Sequence, residues 1–356
     1  MSAPSSVKPW GIRAFQPQDR AQLVHMLGDV FGYPDPDRYF AWIYQQNPAG
    51  PAWAWVACEC DTGRIIGANA FFPWQLTSNG RSVPAAQMGN SMVGPAYQRR
   101  GIFTALIEEG LQELPDLGVR FVYVFPNQRA EPGHRRAGAA TVGRIVRLVR
   151  PVNLARLSDR FQKVGGWIGW LAGLGRHVSI SLPHRRRLAS KELQCRATER
   201  CDERFDDLWE RRPVDLGIAA VRDRQYLHWK YELRPFRKYT IWTLEPREAP
   251  ERLLGYAVST IDRGVLSVVD MLVAGEDEAT HARHLIHGLI DQARQMRCGA
   301  VSFHALEGNR YLGAFYRSGF FPYSRHNTAI VYPLVDTASV CATDCRHWHL
   351  TIGDQE

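Results

Sequence analysis

A short basic turn between a strand and a helix is the feature that most restricts how this chain can fold. Residues 88–93, ahead of the turn, are compatible with a strand, and the turn at 98–101 holds two arginines, a glycine and no acid. Behind the turn, apolar side chains recur at the spacing of one helix face. That face consists of Phe103, Leu106, Ile107, Gly110, Leu111 and Leu114. The pattern predicts a strand–turn–helix unit with a positively charged turn.

Such a turn has the physical properties of an anion-binding site. It gathers backbone N–H groups at the positive end of the helix dipole. Successive N–H groups in a turn also form a concave surface that binds anions. Gly101 lets a ligand approach the backbone, because no Cβ lies in the way. We therefore predict that a pyrophosphate binds at this turn.

Residues 98–103, Gln-Arg-Arg-Gly-Ile-Phe, resemble the acyl-CoA pyrophosphate loop of the GNAT acetyltransferases, whose pattern is Gln/Arg-x-x-Gly-x-Gly/Ala. Phe103 departs from that pattern, which puts in question how closely the last turn of backbone surrounds the phosphates. The resemblance implies acetyl-CoA as co-substrate, bound by Gln98, Arg99, Arg100, Gly101, Ile102 and Phe103. For these six residues alone, a basic helix N-terminus without a ligand is the alternative.

The order of the elements around the turn strengthens the resemblance. Periodicity and turn residues predict a strand, two helices, three strands, a helix, a strand, a helix and a strand. Their positions are 11–15, 17–31, 36–47, 53–59, 65–72, 88–93, 103–114, 119–125, 131–137 and 141–149. This is the GNAT order, which implies an α+β fold with a mixed, mostly antiparallel, splayed sheet flanked by helices.

The second half of the chain repeats the first. Residues 38–48 align without a gap with residues 225–235, so that Tyr, Trp, Tyr and Pro coincide. We predict two tandem GNAT-like domains, at 1–150 and 191–335, joined by a basic, Gly- and Trp-rich segment at 151–190. A tail follows at 336–356.

The two predicted domains differ in charge where the pyrophosphate would bind. In the second domain, residues 276–278 are Glu-Asp-Glu at the start of the helix predicted over 280–294. Carboxylates suit a helix N-terminus, but they repel a pyrophosphate. We therefore predict that only the first domain binds acyl-CoA and that the second is a degenerate copy that braces the first.

The resemblance also implies the remaining site residues. The backbone of Met92 and Val93 would pair with the pantetheine arm, and Asn127 would face that arm from just past the next strand. The general acid of the family is usually a Tyr four residues before the Gly that closes the following helix. Counting back from Gly138 leads to His134, and Tyr123 on the strand is the weaker substitute.

No residue stands out as the general base. Glu59, Asp35 and His25 all lie in the first half, but no spacing distinguishes one of them. A base that acts through water would leave no trace in the sequence. No metal is expected either, because the seven cysteines lack the spacing of metal ligands.

Charge and targeting signals limit the partners. The net charge is +8, but residues 144–187 contribute +9 of it, with ten basic residues against Asp159, so the rest of the chain is close to neutral. A specific nucleic-acid partner is therefore not expected.

Residues 160–176 hold about a dozen apolar positions, too few for a bilayer, which needs about 20. This segment either packs between domains or lies on a membrane surface. With no apolar run at residues 1–8, we expect a cytoplasmic protein, and the membrane-surface reading of residues 160–176 would make it membrane-peripheral.

Three functional classes follow. The first is an N-acetyltransferase that moves an acetyl group from acetyl-CoA to an amine of a small molecule, such as an amino sugar, by direct attack in a ternary complex. The second is a Fem-type aminoacyl transferase that uses aminoacyl-tRNA; this class lacks the CoA loop, although the basic segment favours it. The third is a non-catalytic acyl-CoA-binding module. The residues do not define the acceptor, the acyl chain length or the oligomeric state.

Overall fold

A computed structural model of the protein describes residues 8–78, 80–153, 192–335 and 342–356. All of the predicted connecting segment beyond residue 153, including the apolar stretch at 160–176, lies outside these residues. The elements of the first half are β1 (Trp10–Ala14), α1 (Arg20–Phe31), α2 (Pro36–Phe40) continued by a π-helix (Ala41–Gln45), β2 (Trp53–Glu59), β3 (Ile65–Ser78), β4 (Arg81–Val93), α3 (Ile102–Glu113), β5 (Phe121–Val124), α4 (Glu131–Arg136) and β6 (Ala140–Pro151).

The second half follows the same order. Its elements are β7 (Leu193–Thr198), α5 (Glu203–Glu210), β8 (Ile218–Ala220), α6 (Arg224–Leu227) continued by a π-helix (His228–Glu232), β9 (Thr240–Pro246), β10 (Gly255–Asp262), β11 (Val265–Val273), α7 (Glu278–Gln295), β12 (Ala300–Leu306), α8 (Leu312–Arg317), β13 (Phe321–Pro333) and β14 (Trp348–His349).

The strands of both halves form one continuous sheet. Its order is β1-β2-β3-β4-β5-β13-β6-β12-β11-β10-β9-β7, with β8 and β14 off this path. Read inward from either edge, the strands of one half mirror those of the other. The last strands are exchanged, because β13 pairs with β5 of the first half, whereas β6 pairs with β12 of the second. Neither half therefore completes its own sheet.

A reciprocal tryptophan contact joins the two halves. The rings of Trp42 and Trp229 stack with centroids 5.2 Å apart. Trp42 Nε1 donates to the carbonyl of Trp229 at 2.9 Å, and Trp229 Nε1 donates to the carbonyl of Trp42 at 3.0 Å. Each indole N–H is thus satisfied inside a buried contact, as a buried Trp requires. The aligned tryptophans of the sequence repeat meet at the same point in space.

The sheet separates the apolar core into layers. Buried residues such as Phe71, Val122 and Ile330 pack with α3 on one face of the first half. The opposite face, with Phe72 and Tyr123, packs against α1, α2 and elements of the second half. Because successive side chains of a strand point to opposite faces, neighbours such as Val122 and Tyr123 belong to different layers.

The predicted fold class is confirmed: helices flank a large, mostly antiparallel sheet. Several boundaries differ from prediction. β3 runs on to Ser78 and β4 starts at Arg81, because the two strands form one long antiparallel hairpin. Pro73 and Pro84 lie within that hairpin and interrupt the local strand signal. β5 is shorter than predicted, and α7 begins earlier, at Glu278, with Asp277 as its N-cap.

Residues 342–356, predicted to form a tail, pack against the body of the protein. β14 pairs with β8, and residues 352–354 form a 3₁₀ turn. In the described part of the chain, no helix is both long and apolar enough to span a membrane.

Candidate active site

The turn before α3 has the backbone geometry of an anion-binding loop. Arg99 has φ 61° and Gly101, the N-cap of α3, has φ 82°. Left-handed residues in such a turn aim successive N–H groups to one side. Within the described residues, the backbone N–H groups of residues 98–101 have no backbone acceptor. The first N–H groups of α3 also lack intrahelical partners, as in any helix. Several donors therefore point away from the protein at one place.

The arginines of the turn are free to meet an anion. Neither Arg99 nor Arg100 forms an ion pair in the described ranges, and the guanidinium of Arg100 lies over the ring of Tyr97 at 5.4 Å. Gln98 Nε2 donates to the carbonyl of Val93 at 3.3 Å and ties the turn to the end of β4. The turn thus combines open N–H groups with two unpaired positive charges, which is what a pyrophosphate needs.

Phe103 packs onto α4, which explains how the fold accommodates this departure from the family pattern. The ring of Phe103 lies edge-on to that of His134 at 5.3 Å. It also covers Gly133 so closely that a Cβ there would lie 2.6 Å from Phe103 Cε1. The absence of a side chain at Gly133 therefore makes room for the aromatic ring between α3 and α4.

β4 and β5 separate from each other beside this turn. Their parallel pairing covers only Ala85–Gln87 of β4 and Phe121–Tyr123 of β5. Further along β4, a bulge opposite Asn69 contains Asn90 with φ 49°. A bulge leaves a residue unpaired and redirects the strand. The edge of β4 from Met88 to Val93 is therefore not paired with β5, and we call this open edge the cleft.

The carboxyl group of Glu356 lies at the edge of this cleft. It packs so tightly on the backbone of Gly89 that a Cβ at position 89 would overlap it. Glu356 Oε2 is buried and has no hydrogen-bond partner among the described residues, although the residue as a whole keeps some exposure. Burial raises the pKa of this carboxyl to about 7, against the opposing effects of Arg234, Lys230 and the N–H of Asn90. A carboxyl group with such a pKa can exchange protons near neutral pH.

Buried polar contacts hold the segment that ends in Glu356. Arg222, which is fully buried, pairs with Asp354 at 2.8 Å and with Asp270 at 3.0 Å. The carbonyl of Asp354 accepts a hydrogen bond from Gln87 Nε2 of β4 at 2.6 Å. The buried Lys230 donates from Nζ to the carbonyl of Gln355 at 2.9 Å. Contacts with the second half of the protein therefore position Glu356 at the cleft of the first half.

Sequence reasoning missed Glu356, and no local signal could have found it. The residue lies in a polar stretch with no motif around it, and its neighbours in space come from β4 and from residues 230–234. The three base candidates from the sequence lie elsewhere. Hydrogen bonds from Thr62 and Tyr97 lower the pKa of Glu59 to about 2. Asp35 caps α2, and His25 is an exposed residue beside Asp29.

His134 lies on α4 and its side chain contacts β13. It is 2% exposed, and its Nδ1 lies 2.9 Å from the hydroxyl of Tyr332. Burial lowers the pKa of His134 to about 4. Its contacts, Phe103 and Tyr332, belong to the layer that contains α3. As a general acid, His134 stays a prediction, and its surroundings favour a packing role.

The low pKa of His134 should make stability depend on pH. The His134 side chain takes up a proton near pH 4 in the folded state and near pH 6.5 in the unfolded state. The neutral, buried His134 therefore contributes stability that is full above pH 6.5 and is lost as pH falls toward 4. Between pH 7 and 5 the unfolding free energy should fall by about 2 kcal/mol more in the wild type than in His134→Gln. Urea unfolding at both pH values measures this difference. His25→Gln, at an exposed position, should behave like the wild type; equal slopes in all three proteins would contradict the expectation.

Tyr123 lies on the opposite face of the sheet from His134. Its hydroxyl donates to the carbonyl of Asp354 at 3.4 Å, and burial raises its pKa well above the ordinary value. The hydroxyl therefore stays protonated and is a neutral donor beside the segment of Glu356. The structure brings Tyr123 close to that segment and leaves His134 in another layer.

The other predicted residues surround the cleft. Met92 is buried and Val93 partly buried at the end of β4. Asn127 is exposed just after β5, and its Oδ1 accepts from the N–H groups of Arg129 and Ala130 at 3.0 and 2.9 Å. The amide nitrogen of Asn127 remains available, so its role toward a pantetheine arm stays a prediction.

The corresponding position in the second half is filled by protein. β11 and β12 pair in parallel only as far as Val268 and Phe303. Beyond this point, the N–H of Val273 donates to the hydroxyl of the buried Tyr311 at 3.0 Å. At the start of α7, Asp277 accepts from a backbone N–H of its own helix. A ligand comparable to that of the first half would have to displace the Tyr311 side chain.

A splayed pair of parallel strands with a basic, N–H-rich turn at the next helix defines an acyltransferase fold. Residues 11–142 match the family model of the acetyltransferase (GNAT) domain. Residues 11–142 therefore form a GNAT acetyltransferase domain, which is an acyltransferase domain. The family model does not extend to the second half, so the degenerate copy stays a prediction. No curated protein matches the chain at a significant level.

Several solved structures share the fold. A GCN5-related N-acetyltransferase from Anabaena variabilis has a TM-score of 0.64 at 14% identity, over 92% of this chain and 73% of that one. A probable N-acyltransferase from Enterococcus faecalis has a TM-score of 0.65 at 12% identity, over 91% and 73%. N-myristoyltransferase of Saccharomyces cerevisiae with bound myristoyl-CoA has a TM-score of 0.57 at 11% identity, over 92% and 79%. At such identities the similarity shows the fold alone.

Proposed function

We propose that the protein transfers an acetyl group from acetyl-CoA to an amine of a small molecule by direct attack in a ternary complex. The observation that carries this proposal is that the anion-binding turn at Gly101 and the carboxyl of Glu356 lie on the same cleft of β4. About five residues of strand, roughly 15 Å, separate Gly89 from Gly94 at the start of the turn. An extended pantetheine arm can bridge such a span.

Each group at the cleft then has a chemical task. The turn at 98–103 binds the pyrophosphate, and the edge of β4 at Met92 and Val93 pairs with the pantetheine. A backbone N–H of β4 beyond Asn90 polarises the thioester carbonyl, as donors do in oxyanion holes. The carboxylate of Glu356 accepts the proton that the attacking amine loses. The C–N bond forms, the C–S bond breaks, and the departing thiolate takes a proton from the hydroxyl of Tyr123.

The acyl group proposed is short. Yeast N-myristoyltransferase, which shares the fold, binds myristoyl-CoA, and this supports an acyl-CoA as co-substrate here. At the Asn90 bulge, however, the buried side chains of Tyr39 and Met92 and the carboxyl of Glu356 close in on the cleft. This crowding favours acetyl over a long chain.

We further propose that the two halves keep the predicted division of labour, with residues 1–150 binding the donor and residues 191–335 bracing them. The filled cleft at Tyr311 and the acidic start of α7 support a single donor site. The exchange of β6 and β13 makes the two units interdependent. We place the reaction in the cytoplasm. The proposed membrane contact through residues 160–176 lies outside the described residues.

Thermal-shift measurements and a thiol-release assay test the function. Acetyl-CoA should raise the melting temperature, whereas myristoyl-CoA and free tRNA should have much smaller effects. Release of the CoA thiol in the presence of a panel of amines should then identify acceptors. Stabilisation by tRNA alone would favour the Fem-type class. Binding of acetyl-CoA with no thiol release for any amine would favour a non-catalytic module and would overturn the proposal.

A further inference from the structure

Two arginines that form no ion pair with the described residues lie on one loop of the second half, which we call the mouth. The π-helix at His228–Glu232 ends in a loop that contains Arg234 and Arg237. Phe236, between them, has φ 62°, so the loop turns sharply there. The guanidinium of Arg234 lies over the ring of Trp42 at 5.0 Å. This contact directs one of the two cations toward the first half of the protein.

An aromatic path leads from this mouth to the bulge of β4. The rings of Phe31 and Tyr33 lie 5.7 Å apart, and Tyr33 stacks on Tyr39 at 3.9 Å. The hydroxyl of Tyr39 is hydrogen-bonded to the side chain of Asn90 at 3.1 Å. The path begins at the exposed Phe31 and ends one residue from Gly89, against which the carboxyl of Glu356 packs.

The acidic side chains of α2 and of the π-helix at His228–Glu232 are already engaged. Asp37 pairs with Arg20 at 2.8 Å, and Asp35 accepts from the backbone of its own helix. Glu232 accepts from the backbone N–H of Cys201 and contacts His228 at 2.7 Å.

Across the described ranges, neither of the two loop arginines forms an ion pair. Their charge nevertheless reaches the cleft. Arg234 acts to lower the pKa of Glu356, and Arg234 and Arg237 both act to lower the pKa of Tyr33. Two unpaired cations therefore border the route that an acceptor takes to the base.

We propose that Arg234, assisted by Arg237, binds an anionic group of the acceptor, so that the substrate is an amine that also carries a carboxylate or a phosphate. The inference rests on the proposed function and names its substrate class. A guanidinium binds such oxyanions through two parallel hydrogen bonds. With the anion at Arg234, the body of the acceptor lies along Tyr33 and Tyr39 and the amine reaches the carboxyl of Glu356.

The test compares matched pairs of amines in the thiol-release assay. One pair is an amino acid and its carboxamide, and the other is an amino sugar with and without a phosphate. At least one anionic member should have a kcat/KM about 10- to 100-fold above that of its neutral partner, since hydrogen bonds to charged groups have this strength. Added salt should raise the KM of the anionic member and leave that of the neutral one unchanged.

Arg234→Gln and Arg237→Gln assign the preference to these side chains. At a pH well above 7, where Glu356 is ionised in both proteins, Arg234→Gln should raise the KM of the anionic amine about 10-fold or more and leave kcat and the neutral amine nearly unchanged. Arg237→Gln should also raise the KM of the anionic amine, but by a smaller factor. It provides a second test if Arg234→Gln folds poorly. Arg81→Gln, which changes an exposed arginine of the β3–β4 hairpin, is the matched control and should alter neither amine.

The outcomes separate the inference from the function. Equal kcat/KM for both members of every pair would overturn the inference and leave the acetyltransferase function standing. An equal loss of kcat for both members in Arg234→Gln would also overturn it, because Arg234 would then act on Glu356 and not on the acceptor. The absence of thiol release with every amine would overturn the function itself, and the inference with it.

Discussion

Replacing Gly101 with valine is expected to weaken acetyl-CoA binding by about 100-fold or more. Gly101 has φ 82°, a conformation that a β-branched residue adopts only at a cost of about 1–3 kcal/mol. Apart from its chain neighbours and its own helix backbone, no atom of the described residues lies within 4 Å of the Cβ position, so the strain comes from the backbone and not from a clash. When the turn relaxes, it loses at least two charge-assisted hydrogen bonds from N–H groups to phosphate, each of about 1.5–3 kcal/mol. Isothermal calorimetry with acetyl-CoA measures the change.

Gly275→Val is the matched control for this substitution. Gly275 also has a positive φ, 102°, and it lies just before α7 at the corresponding place in the second half. The backbone strain is therefore similar, but the proposed phosphate site is elsewhere. The melting temperature of both variants should drop by a similar amount, whereas only Gly101→Val should lose acetyl-CoA affinity. A loss of affinity in Gly275→Val instead would mean that the second half binds the donor.

Glu356→Gln should lower kcat by about 10²- to 10⁴-fold, the usual contribution of a general base. The amide has nearly the same shape but cannot accept the proton of the amine, so the dissociation constant of acetyl-CoA should remain unchanged. In the wild type, kcat/KM should rise with pH through about 7, because burial raises the pKa of this carboxyl to about 7. This inflection should disappear in the variant.

Glu59→Gln is the control, because Glu59 is a carboxylate of the first half with a pKa of about 2 and lies at the β2–β3 turn. Its kcat should stay within a factor of two or three of the wild type, roughly the effect of a surface substitution. Full activity of Glu356→Gln would show that another group accepts the proton.

Unfolding experiments test the pKa of Glu356 independently of enzyme activity. The folded state binds its proton up to about pH 7 and the unfolded state only up to about 4.5. The proton therefore contributes stability that is full below 4.5 and is lost as pH rises through 7. Relative to the wild type, Glu356→Gln should gain melting temperature over this interval. A difference that is constant with pH would mean that the carboxyl titrates at an ordinary pKa.

The order of the elements and most of their positions could be predicted because their signals are local. Apolar periodicity predicted α3, and turn residues predicted where β2 ends. Boundaries were missed where Pro73 and Pro84 interrupt the long β3–β4 hairpin, since strand pairing there outweighs local preference. The surroundings of His134 could not be predicted, for a different reason. Its spacing from Gly138 resembles that of a catalytic residue, but the packing of Phe103 and Tyr332 around it could not be read from spacing.

By itself, the sequence determined the strand, the basic turn and the helix that build the proposed donor site, because a left-handed glycine, two arginines and a helix start lie within a few consecutive residues. Only the tertiary structure decided which carboxyl lies beside β4. Gln87 and Asp354 are 267 positions apart, yet their hydrogen bond helps to hold Glu356 against Gly89. The exchange of β6 and β13 and the buried pairing of Arg222 with Asp354 are likewise long-range contacts. The pKa of a carboxyl depends on its burial and on the charges around it, and both arise only when distant segments pack together.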